Sequence, residues 1–290
     1  MKQKKVEIMI HGHRGCRGIL PENTIEAFTQ AVEMGVDVLE MDVVLTADDD
    51  ILVSHDPFMQ HEICLKPDGS PITESEELSL NIFRMTTADA RSYPCGKKKH
   101  PRFPTQRPFP SHKPTLPEVS KFLRNFCREN NYEMPLLNIE IKSKPEWDNV
   151  FHPEPAAYVQ KFINQFDTLK IDHITIIQSF DTRILEELHK QSPETKLVLL
   201  SEDKEKNPAD KLSELSFHPY GYSPEYHLID EATVQFCNEK NIKLIAWTIN
   251  ETFDMKRLMD MGVTHIITDY PQRALKILKR EAPETVDSTQ

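Results

Sequence analysis

Short apolar runs alternate with longer amphipathic stretches along most of the chain, and this alternation predicts a series of β-strands and α-helices. The runs of strand length lie at residues 6–13, 36–45, 136–142, 173–179, 196–201, 219–223, 243–249 and 264–268. The stretches with helical spacing of apolar residues lie at 25–34, 116–130, 154–168, 181–191, 208–216, 230–240, 251–261 and 271–281. Strand–helix units in series predict a parallel sheet, and eight of them favour an α/β fold of the TIM type, a (β/α)8 barrel, over an open doubly wound sheet.

Residues 57–115 interrupt this alternation. They contain nine prolines and show no sustained periodicity. A segment of this length without regular structure is usually functional or a small subdomain. We therefore expect residues 1–290 to form a single barrel domain with an insertion after the second strand, at about 57–115, that caps one end of the barrel.

Composition narrows the possible functions. The hydrophobic content of 38% with 28% charged residues is typical of a soluble globular protein, and the net charge of -11 argues against a nucleic-acid-binding surface. No apolar run reaches the roughly 18 residues of a membrane span, so no stable membrane insertion is expected. The five cysteines are odd in number and scattered, which argues against a disulfide framework and a zinc cage.

The first residues indicate a compartment. The opening MKQKK is basic, but Glu7 and His11 interrupt any apolar signal core. The sequence as given therefore predicts a cytoplasmic protein. A periplasmic or secreted protein whose signal peptide has been removed would show the same pattern.

Two carboxylates lie two residues apart inside the second apolar run. Glu40 and Asp42 point to the same side of a strand because strand side chains alternate between faces. Buried and unpaired they would be strongly destabilising, so they need a cation, a hydrogen-bond donor or a shared proton. A shorter apolar run, 51–53, is followed by His55 and Asp56. The stretch 38–56 therefore predicts a metal centre or an acid–base centre.

Other polar residues stand near the ends of predicted strands, which meet at one mouth of a barrel. Glu140 and Lys142 repeat the spacing of two residues. Three carboxylates at one mouth (Glu40, Asp42 and Glu140) suit one hard divalent cation, Ca²⁺ or Mg²⁺. Zinc fits less well because no cysteine joins the cluster. The remaining strand-end residues of this set are His13, Arg14, Gln178, Trp247 and Asp269.

One internal similarity links two of these strands. Residues 33–42, EMGVDVLEMD, resemble residues 260–269, DMGVTHIITD. The alignment predicts that Asp42 and Asp269 occupy equivalent positions on their strands.

Nine short motifs occur together and in one order. They are HRG (13–15), PENT (21–24), ExD (40–42), HD (55–56), PTLPEV (114–119), NIEIK (138–142), QSF (178–180), AWTIN (246–250) and TDYP (268–271). Each motif alone is weak, but their order over nearly the whole chain resembles that of the glycerophosphodiester phosphodiesterase family. The family pattern T-x-D-G after the second strand is replaced here by Asp48-Asp49-Asp50, which alters a turn.

The resemblance implies a TIM-type barrel that hydrolyses a glycerophosphodiester to glycerol 3-phosphate and an alcohol. It implies roles for eleven residues: Glu40, Asp42 and Glu140 as metal ligands, His13 and His55 as the acid–base pair, Arg14 and Lys142 as phosphate contacts, Glu22, Asn23 and Gln178 as polar site residues, and Trp247 on the glycerol side. The implied partner is a small-molecule glycerophosphodiester, and the oligomeric state is not indicated.

Several alternatives stay open at this level. The nucleophile is either the neighbouring glycerol hydroxyl, which gives a cyclic phosphate, or a water molecule activated at the metal. A lyase or phospholipase that stops at the cyclic phosphate and an inactive binding barrel are the competing functions. Locally, Asn23 could act only as a helix cap, Asp269 could cap the following turn, and His11 could line the pocket.

Overall fold

A closed ring of eight parallel strands forms the centre of the computed structural model, which describes residues 7–280. The strands are β1 (Met9–Gly12), β2 (Val38–Leu45), β3 (Ile51–Val53), β4 (Leu136–Ile141), β5 (Thr175–Ser179), β6 (Lys196–Ser201), β7 (Gly221–Pro224), β8 (Lys243–Ala246) and β9 (His265–Thr268). β1 pairs in parallel with both β2 and β9, which closes the ring. β3 lies outside the ring, antiparallel to the end of β2.

Helices follow the strands and cover the outside of the ring. They are α1 (Ile25–Met34), α3 (Leu116–Glu129), α4 (Pro155–Leu169), α5 (Thr182–Gln191), α6 (Pro208–Leu212), α7 (Glu231–Glu239), α8 (Thr252–Met261) and α9 (Pro271–Ile277), while the short α2 (Thr87–Arg91) lies in the segment between β3 and α3. The predicted TIM-type barrel is confirmed. No helix between residues 7 and 280 is long and apolar enough to cross a membrane.

Several predicted boundaries differ from those of the structure. The helix predicted at 208–216 ends at Leu212, and the strand predicted at 243–249 ends at Ala246. Residue 6 of the first predicted strand, residue 281 of the last predicted helix and the basic opening lie outside the described residues.

Each face of the strands packs differently, as the alternation of side chains requires. Leu39 and Met41 of β2 belong to the apolar core between the strands and the helices. Inside the ring, Ile176, Val198, Ile245 and Ile267 form a second, smaller apolar cluster. Glu40 and Asp42 alternate with Leu39 and Met41 along β2 and therefore face the interior of the barrel.

A histidine pair lies inside the ring at the level of this apolar cluster. His11 Nε2 is 3.0 Å from His265 Nδ1, and both side chains are buried. His11 does not line the cavity that opens at the mouth of the barrel.

The turn between β2 and β3 explains a departure from the family pattern. Asp49 has a φ of 66°, the left-handed conformation that favours glycine. Asp and Asn adopt this conformation more readily than other non-glycine residues. The aspartate therefore takes the place of a turn glycine and leaves the hairpin intact.

Residues 57–115, here called the roof, fold over the mouth of the barrel. The roof has its own apolar core, which includes Met59, Ile72, Ile82 and Ala90. Its side chains form part of the wall of the cavity at that mouth. The insertion predicted after the second strand is therefore present and caps one end of the barrel.

A disulfide joins Cys64 to Cys95 within the roof. The odd number and scatter of the cysteines argue against a disulfide framework, and this one bond is a disulfide that the prediction did not include. Two segments 31 residues apart in sequence meet here as an antiparallel bridge, with the Cα atoms 4.1 Å apart, and nothing in the spacing indicates that contact. Cys16, Cys127 and Cys237 are buried thiols.

Candidate active site

A cavity of about 870 Å³ opens at the carboxyl ends of the barrel strands, beneath the roof. Nine of the eleven predicted site residues border it, and they are His13, Arg14, Glu22, Glu40, His55, Glu140, Lys142, Gln178 and Trp247. The other two, Asn23 and Asp42, are buried behind its wall. The strands have therefore brought together residues that are up to 234 positions apart in sequence (247 − 13).

Strand register groups the three carboxylates. Asp42 on β2 stands opposite Glu140 on β4, and Glu140 stands opposite Gln178 on β5. Carboxylate oxygens of Glu40, Asp42 and Glu140 all lie within 4.8 Å of one another, and all three residues are buried. This is a compact set of oxygen donors at the position that the sequence predicted.

The electrostatics of this triad suit a bound cation. Burial, followed by the neighbouring Asp42, raises the pKa of Glu40 well above its usual value. Burial, opposed by Lys142 and aided by Asp42, raises the pKa of Glu140 to about 7. Burial also acts upward on Asp42, but Arg14, His55 and Lys142 outweigh it, so the pKa of Asp42 lies below its usual value. Three oxygen donors, two of which resist ionisation, fit a hard divalent cation.

The turn after β1 places Arg14 against this triad. Arg14 and Gly15 have φ angles of 49° and 86°, and in this turn the Arg14 backbone N–H donates to Glu40 Oε2 at 2.9 Å. Its guanidinium donates to Glu22 Oε1 at 2.8 Å and lies 3.2 Å from Asp42 Oδ2. Arg14 therefore contacts two carboxylates of the triad, Glu40 and Asp42, and also borders the cavity.

The PENT segment supports the triad from behind. Asn23 Nδ2 donates to Asp42 Oδ2 at 2.9 Å. Thr24, not Asn23, caps α1, because its side chain accepts the Ala27 N–H. Asn23 is therefore tied to a carboxylate of the triad instead of capping the helix.

Two further polar residues complete the floor of the cavity. Lys142 Nζ lies 2.7 Å from Glu140 Oε1 and 3.9 Å from Asp42 Oδ1. Gln178 Nε2 donates to Glu40 Oε1 at 3.2 Å, and its Oε1 accepts from Asn138 at 3.1 Å. Lys142 and Gln178 thus each hold one carboxylate of the triad in place.

His13 is oriented by a residue whose part in the site was not predicted. Its Nδ1 lies 2.7 Å from Asp269 Oδ1, while its Nε2 lies 3.8 Å from Glu40 Oε2. Asp269 is held in turn by Arg17 and Asn250, at 2.8 Å each. Burial and then Arg17 lower the pKa of His13 to about 4, against the opposing effect of Asp269.

Two signals in the sequence could have indicated this arrangement. Arg17 follows His13 by four residues in the first loop. Asp42 is the fifth residue counted from Val38, the start of β2, and Asp269 is the fifth counted from His265, the start of β9. The similarity between residues 33–42 and 260–269 therefore reflects equivalent positions in the barrel.

His55 borders the same cavity and follows the end of β3 by two residues. Its Nδ1 lies 3.1 Å from Asp56 Oδ1, and its side chain is 31% exposed. Burial, followed by Arg14 and Lys142, lowers the pKa of His55. The two histidines therefore border one cavity, and each has a carboxylate at its Nδ1.

Aromatic side chains form another part of the cavity wall. Trp247 packs edge-on against Phe180, with ring centroids 5.5 Å apart, and its Nε1 donates to the Ser223 carbonyl at 2.8 Å. Trp147 borders the same cavity. This wall offers apolar surface to a ligand whose charged part lies at the triad.

Residues 13–273 match the sequence profile of the Glycerophosphoryl diester phosphodiesterase family. The chain belongs to this family.

Relatives of similar length support the assignment. A glycerophosphodiester phosphodiesterase of Caldanaerobacter subterraneus subsp. tengcongensis is 29% identical over 280 residues, covering 95% of this chain and 99% of the relative. A glycerophosphodiester phosphodiesterase of Bacillus subtilis is 28% identical over 278 residues, covering 94% of this chain and 87% of the relative. The prediction that the chain is a glycerophosphodiester phosphodiesterase, a phosphoric diester hydrolase, is confirmed.

Solved structures share the barrel. A Silicibacter pomeroyi protein given the same family name superimposes with a TM-score of 0.84 at 27% identity, covering 95% of this chain and 94% of that chain. An Oleispira antarctica phosphodiesterase, solved in complex with its product sn-glycerol-3-phosphate, superimposes with a TM-score of 0.73 at 19% identity, covering 93% and 96%. The second likeness concerns the fold alone.

Proposed function

We propose that this glycerophosphodiester phosphodiesterase hydrolyses glycerophosphodiesters to glycerol 3-phosphate and an alcohol, with His13 and His55 as its acid–base pair. The observation that carries the proposal is the buried triad of Glu40, Asp42 and Glu140, which lies at the cavity that both histidines border. The family assignment supplies the reaction class, and the site geometry supplies the roles.

The triad would hold one divalent cation, Ca²⁺ or Mg²⁺, because both prefer carboxylate oxygens. When bound, such a cation adds positive charge that stabilises the phosphoryl oxygens during the reaction. Arg14 and Lys142 border the same cavity and would contact the phosphate from either side of the triad. Glu22, Asn23 and Gln178 would act through the ion pairs and hydrogen bonds that hold Arg14 and two of the carboxylates.

The two histidines divide the proton transfers. One takes a proton from the attacking group and the other gives one to the departing alkoxide. The contact with Asp269 suits His13 to accept a proton, because a carboxylate at Nδ1 stabilises the imidazolium that results. His55 is more exposed and has Asp56 at its Nδ1, which suits it to serve the other transfer.

The aromatic wall would receive the glycerol side of the substrate. Trp247 and Phe180 present ring surface toward the cavity next to Lys142, whose Nζ lies 5.9 Å from the Phe180 ring centroid. A polar headgroup would extend toward the roof. Water-soluble, deacylated glycerophosphodiesters fit a site of this size and polarity.

The decisive experiment is a panel of glycerophosphodiesters, among them glycerophosphocholine, glycerophosphoethanolamine and glycerophosphoinositol, incubated with Ca²⁺, with Mg²⁺ and with EDTA. Phosphorus NMR follows the products. We expect glycerol 3-phosphate with a cation and no turnover in EDTA. Accumulation of a cyclic phosphate without the monoester would contradict the hydrolase, and undiminished activity in EDTA would contradict the cation.

A matched variant separates acid–base chemistry from cation binding. His55→Ala should lose most of its activity, leaving a residual rate, and still bind the cation, because His55 is not part of the triad. Exchange of the exposed His173 for Ala serves as the control and should leave both properties unchanged.

A further inference from the structure

Lys113, at the end of the roof, is a buried ammonium group outside the machinery described so far. Its side chain is 5% exposed, and the hydrogen bond that the structure describes for its Nζ runs to Ser54 Oγ at 2.8 Å. None of the carboxylates within residues 7–280 forms an ion pair with it. Burial lowers the pKa of Lys113, and Asp56, Glu22 and Asp42 oppose this from a distance.

Burying an ammonium group is costly, and a neutral hydroxyl offsets only part of that cost. Replacing a buried charge with an apolar side chain of similar size is often neutral or stabilising. Packing alone therefore does not explain a lysine at this position. The contacts of Ser54 offer another explanation.

Ser54 connects Lys113 to the turn that carries His55. Ser54 is fully buried, and its Oγ donates to the Asp56 carbonyl at 2.6 Å while it accepts from Lys113. Asp56 Oδ1 then lies 3.1 Å from His55 Nδ1. A hydroxyl has a single hydrogen, so the donor from Lys113 leaves the Ser54 hydrogen committed to Asp56.

The backbone around this chain of contacts is fixed on both sides. The Ser54 N–H donates to the Asp42 carbonyl at 2.9 Å, and the Val53 N–H donates to the Pro114 carbonyl at 2.8 Å. The start of the turn is thus tied to β2 and to the end of the roof. His55 itself lies beyond these bonds, and the link through Ser54 and Asp56 is what the structure provides to orient its ring.

We propose that Lys113 is a positioning residue that fixes the orientation of His55 through Ser54 and Asp56. The role rests on the proposed function of His55 as one member of the acid–base pair. Lys113 does not border the main cavity and touches no substrate. It makes the roof part of the catalytic apparatus, because the last residues of the roof hold the turn on which His55 stands.

The test compares Lys113→Met, Ser54→Ala, the double variant of these two and Lys113→Met combined with His55→Ala. Substrate is glycerophosphocholine at saturating Ca²⁺ or Mg²⁺. Each single variant should lower kcat about 10- to 100-fold, the range seen for residues that orient a reacting group, with KM changed less than about twofold. The Lys113→Met/Ser54→Ala double variant should be no slower than the slower single variant, because the residues act as one unit. In the His55→Ala background, Lys113→Met should change kcat less than about twofold.

Lys99→Met, an exposed lysine of the same roof, is the matched control and should leave kcat unchanged. Full kcat in Lys113→Met would overturn the proposal. The same holds if Lys113→Met lowers kcat by the same factor in the His55→Ala background as in the wild type. If Lys113→Met does not fold, as judged by circular dichroism, Ser54→Ala carries the same comparison.

A readout without turnover separates this proposal from the proposed function. The ring nitrogen signals of His55, assigned in ¹⁵N NMR by their loss in His55→Ala, should move in Lys113→Met and in Ser54→Ala but not in Lys99→Met. Unmoved signals refute the positioning role even in an active enzyme. A wild-type protein that hydrolyses no glycerophosphodiester refutes the proposed function, while the NMR comparison still decides whether Lys113 orients His55.

Discussion

His13 and Asp269 form a 2.7 Å contact between Nδ1 and Oδ1, although they are 256 residues apart in sequence. The contact leaves His13 Nε2 directed at the carboxylate triad, 3.8 Å from Glu40. A carboxylate at Nδ1 fixes both the tautomer and the orientation of an imidazole. Asp269 therefore fixes the orientation of His13 at the mouth of the barrel.

Asp269→Asn should lower kcat about 10²- to 10⁴-fold, because an amide can donate to Nδ1 and stabilise the wrong tautomer. Steady-state kinetics below the melting temperature measure the loss, and circular dichroism verifies the fold. Asp260→Asn makes the same chemical change at an exposed position of α8 and should retain kcat. Wild-type turnover in Asp269→Asn would show that the contact with His13 is dispensable.

Removal of one triad carboxylate should weaken cation binding and abolish turnover. In Glu40→Gln and Glu140→Gln one charged oxygen ligand becomes neutral. The free energy of unfolding of the wild-type protein should rise by about 2.7 kcal/mol at a cation concentration of 100 times Kd, and that of each variant should rise less. Thermal unfolding with and without Ca²⁺ or Mg²⁺, together with isothermal titration calorimetry, measures the difference.

Glu194→Gln, at an exposed position between α5 and β6, is the control for this pair and should respond to the cation as the wild type does. The assignment of the ligands fails if Glu140→Gln shows the wild-type increase in melting temperature.

The His11–His265 pair should make the barrel sensitive to acid. Burial and then Lys243 lower the pKa of His265 to about 4, and burial followed by His265 lowers the pKa of His11 well below its usual value. Both rings are therefore neutral in the folded state, while the unfolded chain takes up protons below pH 6.5. The free energy of unfolding therefore has its full value above that pH, where the rings are neutral in both states, and it decreases as the pH falls toward 4.

Urea unfolding of the wild type and of His265→Gln at pH 7 and pH 4.5 measures this effect. From the pKa of His265 alone, the free energy of unfolding should decrease by about 2 kcal/mol more in the wild type than in the variant over this interval. His173→Gln, at an exposed position, is the control and should follow the wild type. Equal losses in the wild type and in His265→Gln would contradict the assignment of neutral buried rings.

The sequence predicted those parts of the site that depend on local strand geometry. Glu40 and Asp42 face the same side because they are two residues apart on β2. The same spacing brings Glu140 of β4 together with Lys142, the residue that follows the strand. Since parallel strands end at one mouth, the predicted residues were expected to meet there, and nine of the eleven border the cavity.

The contacts that depend on irregular segments or on distant pairing could not be predicted. Cys64 and Cys95 meet only because the roof folds back on itself, and the roof has no periodicity from which to derive that path. Lys113 occupies a proline-rich stretch in which an exposed lysine would be the ordinary expectation, yet it is buried against Ser54. Asp269 is a partial exception, because its place at a strand end was predicted, but its contact with His13 also depends on the irregular turn after β1.

The pairing of β1 with both β2 and β9 has a consequence for the order in which the enzyme becomes competent. The triad needs only β2 and β4, which lie within the first half of the chain. His13 acquires its orienting carboxylate only when β9 has been synthesised and has docked beside β1. Because these strands are far apart in sequence, closing the loop between them costs conformational entropy and the contact forms slowly. A nascent or C-terminally truncated chain can thus contain every carboxylate of the triad and still lack an oriented His13. If His13 has the proposed role, catalytic activity requires complete closure of the barrel.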